Sequence, residues 1–528
     1  MKKYILSICT LAAICIGCVT VTSCSDPDDL NDLVLDRILS PTNITARISQ
    51  DVNIIVSWDE MKGASSYEIE AYADTPDYGQ RTPDVSDATT LTQTTLTNLI
   101  GETAYYIRVR AIDEDNSSPT SKWIEIMRTT NPEQNMNKVK AGDIQSTAVT
   151  VTWTPGIQAD AIVCTPSAAN SSAKTVTYTL TATDISSGSA TVTGLEPETS
   201  YRATLKLGEK TRGYSTFTTN LDLRDAIQLT PTDDWVTAIQ DAAAGSKFAL
   251  AAGEYTLTSA KLQINNNVTI AAQNSGNLPV INTCIHINNG SSLYLYQVVM
   301  DGTGTDGSQA IEYKTAGGFG DLIISGSEIR NYVKGLIYIN VAAVANTIKI
   351  ENSIIHDIEC SGGDFIDSRS GGWNNLIISS STFYSCSAKR DILRADDASS
   401  KVSASMITSI DKCTFYNVGN GNANYRFFYL RFPGNTNTFT NNVVANFDNT
   451  RGFANSTSVG VPSYSNNYYY NCKNLTSQAE GNTQTNLTCF DTEGNILDKN
   501  PFADPDNADF TITDELFQSY GFGDPRWY

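Results

Sequence analysis

Five short strand-like runs in the second half of the chain carry charged and aromatic residues at matching positions. The runs are IEYK (311–314), LIYIN (336–340), FIDSR (365–369), ILRAD (392–396) and FFYLR (427–431). Side chains of a strand alternate between two faces, so the apolar residues that point inward leave two outward columns. The first column is Glu312, Tyr338, Asp367, Arg394 and Tyr429, and the second is Lys314, Asn340, Arg369, Asp396 and Arg431. If the runs stack, neighbours in a column lie about 4.7–4.9 Å apart.

A flat array of Arg, Asp, Asn and Tyr suits an extended glycan. Arg forks clamp carboxylates or hydroxyls, and Tyr rings stack on sugar faces. In this arrangement we expect Asp367 to face Arg394, and Asp396 to lie between Arg369 and Arg431. The candidates for glycan binding or catalysis are Tyr338, Asn340, Asp367, Arg369, Arg394, Asp396, Tyr429 and Arg431.

The same array has two other interpretations. In a polysaccharide lyase, Arg or Lys would remove the proton alpha to a uronate carboxylate, and Ca²⁺ would stabilise the enolate. Asp391, Asp396 and Asp397 are the candidate calcium ligands, and no other cofactor is indicated. Alternatively, the charges form only a salt-bridge ladder that holds the strands in register. His286 and His356, the two histidines of the chain, are each more simply explained as structural residues.

The runs belong to a repeat that extends from Leu262 to Cys472. A polar break follows an apolar strand at each of eight anchors, which are Ala272, Gln297, Gly326, Asn352, Ser380, Lys412, Asn441 and Asn466. The anchors are 25 to 32 residues apart, and such a unit is too small to bury a core without neighbours. The pattern therefore predicts about eight coils of a parallel β-helix. A large β-sandwich with long loops is the alternative.

The segment before the first coil predicts a capping helix. Asp233 and Asp234 precede WVTAIQDAAAG, whose apolar residues share one face and whose last residue is a glycine. This helix, then a strand, AAGEYTL and the first coil resemble the start of pectate-lyase-like right-handed parallel β-helices, over residues 233–475. The resemblance implies the fold and leaves the activity open. We expect the aromatic tail to fold back over the last coil, through Phe517, Tyr520, Phe522 and Trp527.

The Gly-His-Gly and Arg-x-Lys motifs of the hydrolases of this fold are not in the sequence. The Trp-x-Asp-His stretch of the commonest pectate lyases is not there either, which makes an enzyme less favoured than a binder. Whether the chain is an enzyme stays open; if it is one, a polysaccharide lyase is expected.

Residues 39–219 contain two copies of another pattern. In the first copy, Trp58 lies in an early strand and Leu99, Thr103 and Tyr105 follow it; the second copy repeats the order with Trp153, Leu195, Thr199 and Tyr201. Both copies resemble fibronectin type III domains, in which that tyrosine bonds a nearby backbone group. The predicted all-β chain thus has domains at 39–130 and 131–219, a β-helix at 220–480 and a C-terminal cap at 481–528.

The N-terminus resembles a lipoprotein leader. Lys2 and Lys3 precede an apolar run, and Val21-Thr22-Ser23-Cys24 matches a lipobox whose cysteine is lipidated. The acidic residues after Cys24 resemble a signal for export to the outer face of the outer membrane. We expect a signal peptide at 1–23, lipidation of Cys24 and an acidic tether at 24–38; an ordinary secreted leader is the alternative.

The net charge and the cysteine count limit which partners and which cysteine chemistry are expected. The formal net charge of −21 argues against a nucleic-acid role, which needs a basic surface. Seven cysteines remain beyond the leader and Cys24, an odd number without CxxC spacing, so buried free thiols are expected.

The sequence therefore predicts an outer-membrane lipoprotein that binds an extracellular polysaccharide, with a uronate-containing, pectin-like polymer as one candidate. A lyase and an adhesin or scaffold without a sugar site are the alternatives. The expected partners are a polysaccharide, the membrane through the lipid anchor alone, and glycan-import proteins.

Overall fold

A computed structural model describes residues 37–115, 119–168, 172–387, 390–419, 425–447, 451–454, 460–476 and 490–528. The predicted leader, the lipidation site Cys24 and nearly all of the tether lie outside these residues. The chain forms two compact units. The first comprises the described residues up to Gln134 with Glu209–Gly213, and the second comprises Asn135–Gly208 with Tyr214–Tyr528.

The first unit is built on a β-sandwich. Its strands are β1 (Thr45–Ser49), β2 (Asn53–Ser57), β3 (Ser66–Ala73), β4 (Val85–Thr89), β5 (Gln93–Leu96), β6 (Ala104–Ile112) and β7 (Ile124–Thr129). They form an antiparallel sheet β1-β2-β5 and a second sheet β4-β3-β6-β7. Alternate residues of β3 and β6 are buried, as expected for strands with one face in a core. The hydroxyl of Tyr105 accepts a hydrogen bond from the Ile100 N–H (2.9 Å), which confirms the predicted tyrosine corner.

A second sandwich repeats this arrangement. Its elements are β8 (Ala148–Thr152), β9 (Ala161–Pro166), β10 (Val176–Thr179), α1 (Ala182–Ser187), β11 (Ser189–Thr193), β12 (Ser200–Leu207) and β13 (Lys210–Thr218), after a 3₁₀ turn at Ala141–Asp143. The sheets are β8-β11 and β10-β9-β12-β13. Tyr201 accepts from the Glu196 N–H (3.1 Å), so this copy also has the corner.

The second sandwich contacts the C-terminal half of the chain within the same compact unit. The ammonium of Lys138 donates to the Pro525 carbonyl (2.8 Å), and the Ser275 hydroxyl donates to the Ala141 carbonyl (2.9 Å). The sandwich thus lies against both an early coil and the tail.

The C-terminal half is a parallel β-solenoid. In chain order its elements are β14 (Ile227–Leu229), α2 (Trp235–Gln240), β15 (Ser246–Leu250), β16 (Glu254–Ile264), β17 (Val268–Ala272), β18 (Val280–Ile287), β19 (Leu293–Tyr296), β20 (Val299–Asp301), β21 (Ile311–Tyr313), β22 (Gly317–Phe319), β23 (Leu322–Ser325), β24 (Glu328–Arg330), β25 (Ile337–Ile339), β26 (Ala343–Glu351), β27 (Ile354–Ile358), β28 (Ile366–Ser368), β29 (Gly372–Ser379), β30 (Thr382–Cys386), β31 (Leu393–Ala395), β32 (Ile407–Asp411), β33 (Thr414–Tyr416), β34 (Phe428–Leu430), β35 (Thr436–Thr440), β36 (Val443–Phe447), β37 (Ser463–Ser465), β38 (Tyr468–Cys472) and β39 (Asn495–Ile496).

These strands stack into three faces of a solenoid of about eight turns, as predicted. Face A is β14-β15-β17-β19-β23-β26-β29-β32-β35-β37, with β22 beside β26. Face B is β20-β24-β27-β30-β33-β36-β38-β39, and face C is β21-β25-β28-β31-β34. Faces B and C both start from the long strand β18, whose first residues pair with β20 and whose last residues pair with β21.

The predicted anchors are the bends between faces A and B. Seven of the eight have left-handed backbone conformations, with φ between 47° and 59°, and these are Gln297, Gly326, Asn352, Ser380, Lys412, Asn441 and Asn466. Ala272, the eighth, ends strand β17. Glycine and asparagine tolerate this conformation best, which explains the polar breaks in the repeat.

A buried polar ladder follows the bends. The Ser353 N–H donates to the Ser381 hydroxyl (3.1 Å), and the Asn442 N–H donates to the Asn467 side-chain carbonyl (3.0 Å). All four side chains are fully buried. Because a buried N–H without a partner is costly, this ladder satisfies the backbone where the chain turns.

The capping helix is present but short. Helix α2 begins after Asp234, whose carboxylate accepts from the Thr237 N–H (3.1 Å). Trp235 and Ile239 are buried in the solenoid core, where the Trp235 ring meets that of Tyr255 edge to face at 5.7 Å. The helix covers apolar surface of the first coil, as predicted.

The tail consists of β40 (Phe502–Asp504), β41 (Asp509–Ile512) and α3 (Glu515–Tyr520), with 3₁₀ turns at Pro505–Asn507 and Pro525–Trp527. It folds back along the outside of face B, rather than over the last coil alone as expected. Phe510 and Phe522 pack there with Tyr416, Val443 and Ala445.

The tail is fastened by buried hydrogen bonds. The Asp524 carboxylate accepts from the Thr382 hydroxyl (2.9 Å), and the Asp524 N–H donates to the Thr414 hydroxyl (3.0 Å). Thr382 and Thr414 are the first residues of β30 and β33, so one residue ties the tail to two coils.

Six cysteines lie within the described residues, and all are buried free thiols, as predicted: Cys164, Cys284, Cys360, Cys386, Cys413 and Cys472. The seventh, Cys489, lies outside them. Burial raises the pKa of Cys164 and Cys472 to about 12, so these thiols are neutral. Within the described ranges, none of the helices has the length and hydrophobicity that a membrane span requires.

Candidate functional site

Face C brings the first predicted column together. Pairing of β25 with β28 sets Tyr338 beside Asp367, pairing of β28 with β31 sets Asp367 beside Arg394, and pairing of β31 with β34 sets Arg394 beside Tyr429. We call Glu312, Tyr338, Asp367, Arg394 and Tyr429 the first row.

The second row continues one position beyond each strand and comprises Lys314, Asn340, Arg369, Asp396 and Arg431. Backbone bonds hold its later members in step, since the Asp396 N–H donates to the Ser368 carbonyl (2.8 Å) and the Arg431 N–H donates to the Ala395 carbonyl (2.8 Å).

The apolar positions of these strands explain why the rows face outward. Ile337 and Ile339 in β25, and Phe428 and Leu430 in β34, are fully buried in the solenoid core. Since side chains alternate, burial of these residues directs Tyr338 and Tyr429 to the opposite side.

Asp367 faces Arg394 on the neighbouring strand, as expected, but its ion pair is with Arg369. Its carboxylate is only 1% exposed and is held by Arg369, with Nε to Oδ1 at 2.6 Å and Nη2 to Oδ2 at 3.0 Å. It therefore forms its ion pair within its own coil, with the residue just beyond its strand, and not across the strands with Arg394. Arg369 is two residues away, and its long side chain folds over the carboxylate. Burial raises the pKa of Asp367, and the bonds from Arg369 oppose this shift.

Asp396 bonds one arginine that was expected beside it, Arg431, and one that was not, Arg394. Arg394 donates Nε to Oδ1 (2.9 Å) and Nη2 to Oδ2 (3.1 Å), and Arg431 donates Nη2 to Oδ1 (2.5 Å). Asp396 lies between Arg369 and Arg431 in the second row, as predicted. Its bonds come from Arg394 and Arg431, whereas Arg369 is bound to Asp367. Burial acts to raise the pKa of Asp396, but the bonds from Arg394 and Arg431 prevail and lower it.

Two further charged residues of the site were not predicted. Asp364, 1% exposed, accepts from Arg369 (3.0 Å), from Arg394 (3.4 Å) and from the Asp391 N–H (3.1 Å). Arg426, which is also buried, donates Nε to Asp391 (3.0 Å). A sequence signal for them exists, since Asp364, Asp391 and Arg426 each lie three residues before a member of the first row.

Tyr429 lies among guanidinium groups. The guanidinium carbon of Arg426 is 3.6 Å from the ring centroid, that of Arg431 is at 4.5 Å and that of Arg394 at 5.4 Å. Cation–π contacts of this kind fix the ring in place. The Tyr429 side chain is therefore pre-oriented and partly exposed.

The predicted calcium ligands do not form a metal site. Asp391 is buried and bound by Arg426, Asp396 is bound by two arginines, and Asp397 accepts from the Ser399 hydroxyl (2.6 Å). Across the described ranges, no group of three or more His, Cys, Asp or Glu side chains could hold a metal. Burial raises the pKa of Asp391, consistent with a carboxylate enclosed by protein.

The outer surface of the site is formed by the partly exposed side chains. The exposed fraction is 30% for Arg369, 19% for Arg394 and 40% for Arg431, and Asn340 is exposed. The result is a fixed surface of guanidinium and phenol groups above a layer of buried carboxylates.

Three family models match separate parts of the chain. The fibronectin type III model matches residues 39–127. Two models described as domains of unknown function, DUF4957 and DUF5123, match residues 253–386 and 408–527. The chain thus contains a fibronectin type III domain followed by the β-solenoid. The first five coils and the last coils with the tail fall under different models.

Among solved structures, the two-domain fibronectin type III segment of chicken tenascin matches with 14% identity and a TM-score of 0.25. The match covers 34% of this chain and 99% of that one. A comparison with curated proteins gives no match. A fibronectin type III domain joined to a β-solenoid fits a surface protein that binds or processes glycans.

Proposed function

We propose that this chain is a cell-surface lipoprotein that captures an extracellular polysaccharide on face C of its solenoid. The observation that carries the proposal is the register of the first row, which aligns Tyr338, Arg394 and Tyr429 within four successive coils, with Arg369 and Arg431 beside them in the second row. Planar phenol and guanidinium groups repeated at the strand spacing match a polymer with a repeating ring.

The protonation state of the arginines favours glycan binding over β-elimination by a lyase. A lyase base must lose its proton at the working pH. Hydrogen bonding to Asp367 raises the pKa of Arg369. Burial acts to lower the pKa of Arg394, but the bonds to Asp396 prevail and raise it. Both groups therefore stay protonated, which suits a hydrogen-bond donor and not a base.

Anchoring at the outer membrane through Cys24 belongs to the same proposal. A lipid on this cysteine would hold the chain at the surface, with the fibronectin type III region next in sequence and the solenoid beyond it. A uronate-containing, pectin-like polymer is the first candidate ligand, because the arginines can clamp its carboxylates.

Affinity electrophoresis tests the proposal with polygalacturonate, alginate, xylan, arabinan and laminarin in the gel. We expect at least one polymer to retard the wild-type protein. Arg431→Ala should weaken retention about tenfold or more, because a charge-assisted hydrogen bond is worth about 1.5–3 kcal/mol. The control is Lys349→Ala, which removes an outward cation from face A that bonds Glu351 (2.6 Å).

The outcomes separate the candidate functions. Retention that Lys349→Ala keeps and Arg431→Ala loses supports capture on face C. Unsaturated product detected by ultraviolet absorbance, with or without Ca²⁺, would indicate a lyase instead. Failure of every polymer to retard the protein would leave the scaffold or adhesin alternative.

A further inference from the structure

The first row does not end at Glu312. Strand β16 pairs with β18, which sets Gln263 beside His286, and β18 pairs with β21, which sets His286 beside Glu312. Glu312 in turn lies beside Tyr338. The row therefore has seven positions, and at a strand spacing of about 4.8 Å it is about 29 Å long.

Side chains link the two added positions to Glu312. The amide nitrogen of Gln263 is 3.3 Å from His286 Nδ1, and His286 Nε2 is 3.4 Å from the Glu312 carboxylate. Lys314 donates to the other oxygen of Glu312 (3.0 Å). His286 and Glu312 are each 17% exposed, so they are held in place and can still touch a ligand.

We infer that Gln263, His286 and Glu312 form a second set of binding positions, so that the ligand is a long polysaccharide lying along the solenoid axis across seven coils. This inference rests on the proposed function. The first and last coils of the face differ in chemistry: Glu312 offers a carboxylate acceptor for sugar hydroxyls, whereas Arg394 and Arg431 offer donors. A chain that spans both ends is bound in one direction.

The dependence of affinity on oligosaccharide length distinguishes this inference from capture by the arginines alone. The probes are oligogalacturonides of increasing length, with xylan and laminarin oligomers as second and third series, each titrated by calorimetry. For wild type, affinity should rise with length until the oligomer spans the row from Gln263 to Tyr429. Glu312→Gln should weaken binding of the longest oligomers about tenfold, since it removes a charged acceptor, and leave the shortest bound oligomers unaffected.

The matched control is Glu351→Gln on face A, where Lys349 forms the equivalent bond two residues away. This variant should bind every length as wild type does. His286→Gln is a second test that preserves size and polarity, and thermal melting establishes that each variant is folded.

The inference is overturned if Glu312→Gln and His286→Gln bind long oligomers as tightly as wild type, or weaken short and long oligomers equally. Either result leaves capture on the arginine-rich coils intact. If wild type binds none of the three series or their parent polymers, the proposed function fails and the inference with it.

Discussion

Faces B and C of the solenoid have the same construction and opposite surfaces. On face B the outward residues Tyr416, Val443 and Ala445 are at most 4% exposed, because the tail packs over them. On face C the outward side chains of Arg369 and Arg431 are 30% and 40% exposed. Outward positions thus carry apolar or aromatic residues where the tail covers them, and charged residues or partly exposed tyrosines where they reach the surface.

The first coils of face B carry an ion-pair network of their own, so such a network is not by itself a sign of a binding site. Arg330 bonds Asp301 (2.8 Å) and Glu328 (2.5 Å), and His356 bonds Glu328 (3.1 Å) while stacking on Tyr384 at 4.6 Å. This network resembles that of face C in its partners. The guanidinium of Arg330 and the phenol of Tyr384 also lie in register, on either side of His356, so alignment alone does not distinguish face C. Face C differs in exposure, since Tyr338 and Tyr429 are partly exposed whereas the tail buries Tyr416 of face B.

The largest expected effect comes from removing an aromatic side chain where the tail packs on face B. Phe510→Ala should lower the free energy of unfolding by about 3–5 kcal/mol, because it leaves a cavity between the tail and face B. Chemical denaturation measures the loss. Leu516→Ala is the control, since Leu516 lies in the same tail but is 58% exposed, and it should change stability little. Equal effects of the two variants would mean that the tail is not held by packing on face B.

A smaller effect concerns the buried carboxylates under face C. Burial raises the pKa of Asp367 above its unfolded value of about 3.9, so the stability that its protonated form contributes is present below about pH 4 and lost as pH rises through the folded pKa. Asp367→Asn cannot ionise. We therefore expect the stability of wild type, relative to this variant, to fall as pH rises from about 4.

Urea denaturation at several pH values measures this difference. Asp397→Asn is the control, because the hydrogen bond from Ser399 lowers the pKa of that carboxylate, and its linkage therefore has the opposite sign. If the difference in free energy of unfolding between wild type and Asp367→Asn stays constant or rises with pH, the bonds from Arg369 lower the pKa of Asp367 more than burial raises it.

The repeat made most of the solenoid predictable. Polar residues such as Asn352 and Ser380 mark the bends, where the chain takes a left-handed conformation that glycine and asparagine tolerate best. The alternation of apolar residues then placed Asp367, Arg394 and Tyr429 in one row. Alternation gives only the side of the sheet, however, and not the depth of a side chain.

The pairing of the charges was not predictable for that reason. Whether Asp367 bonds Arg369 or Arg394 depends on how long side chains fold over one another, which spacing alone does not determine. Asp364 and Arg426 were missed because they precede the strands, where no alternation guides the interpretation. The position of the tail was missed as well, since its aromatic residues indicate burial without indicating which face they cover.

The most direct test of the central claim is tyrosine modification with and without a bound polymer. The protein is iodinated in the presence and absence of the polysaccharide that retards it, and modified peptides are quantified by mass spectrometry. We predict that Tyr338 and Tyr429 are protected, whereas Tyr294, a partly exposed tyrosine on face A, reacts equally in both conditions. Unchanged reactivity of Tyr338 and Tyr429, or protection of Tyr294 instead, would contradict capture on face C.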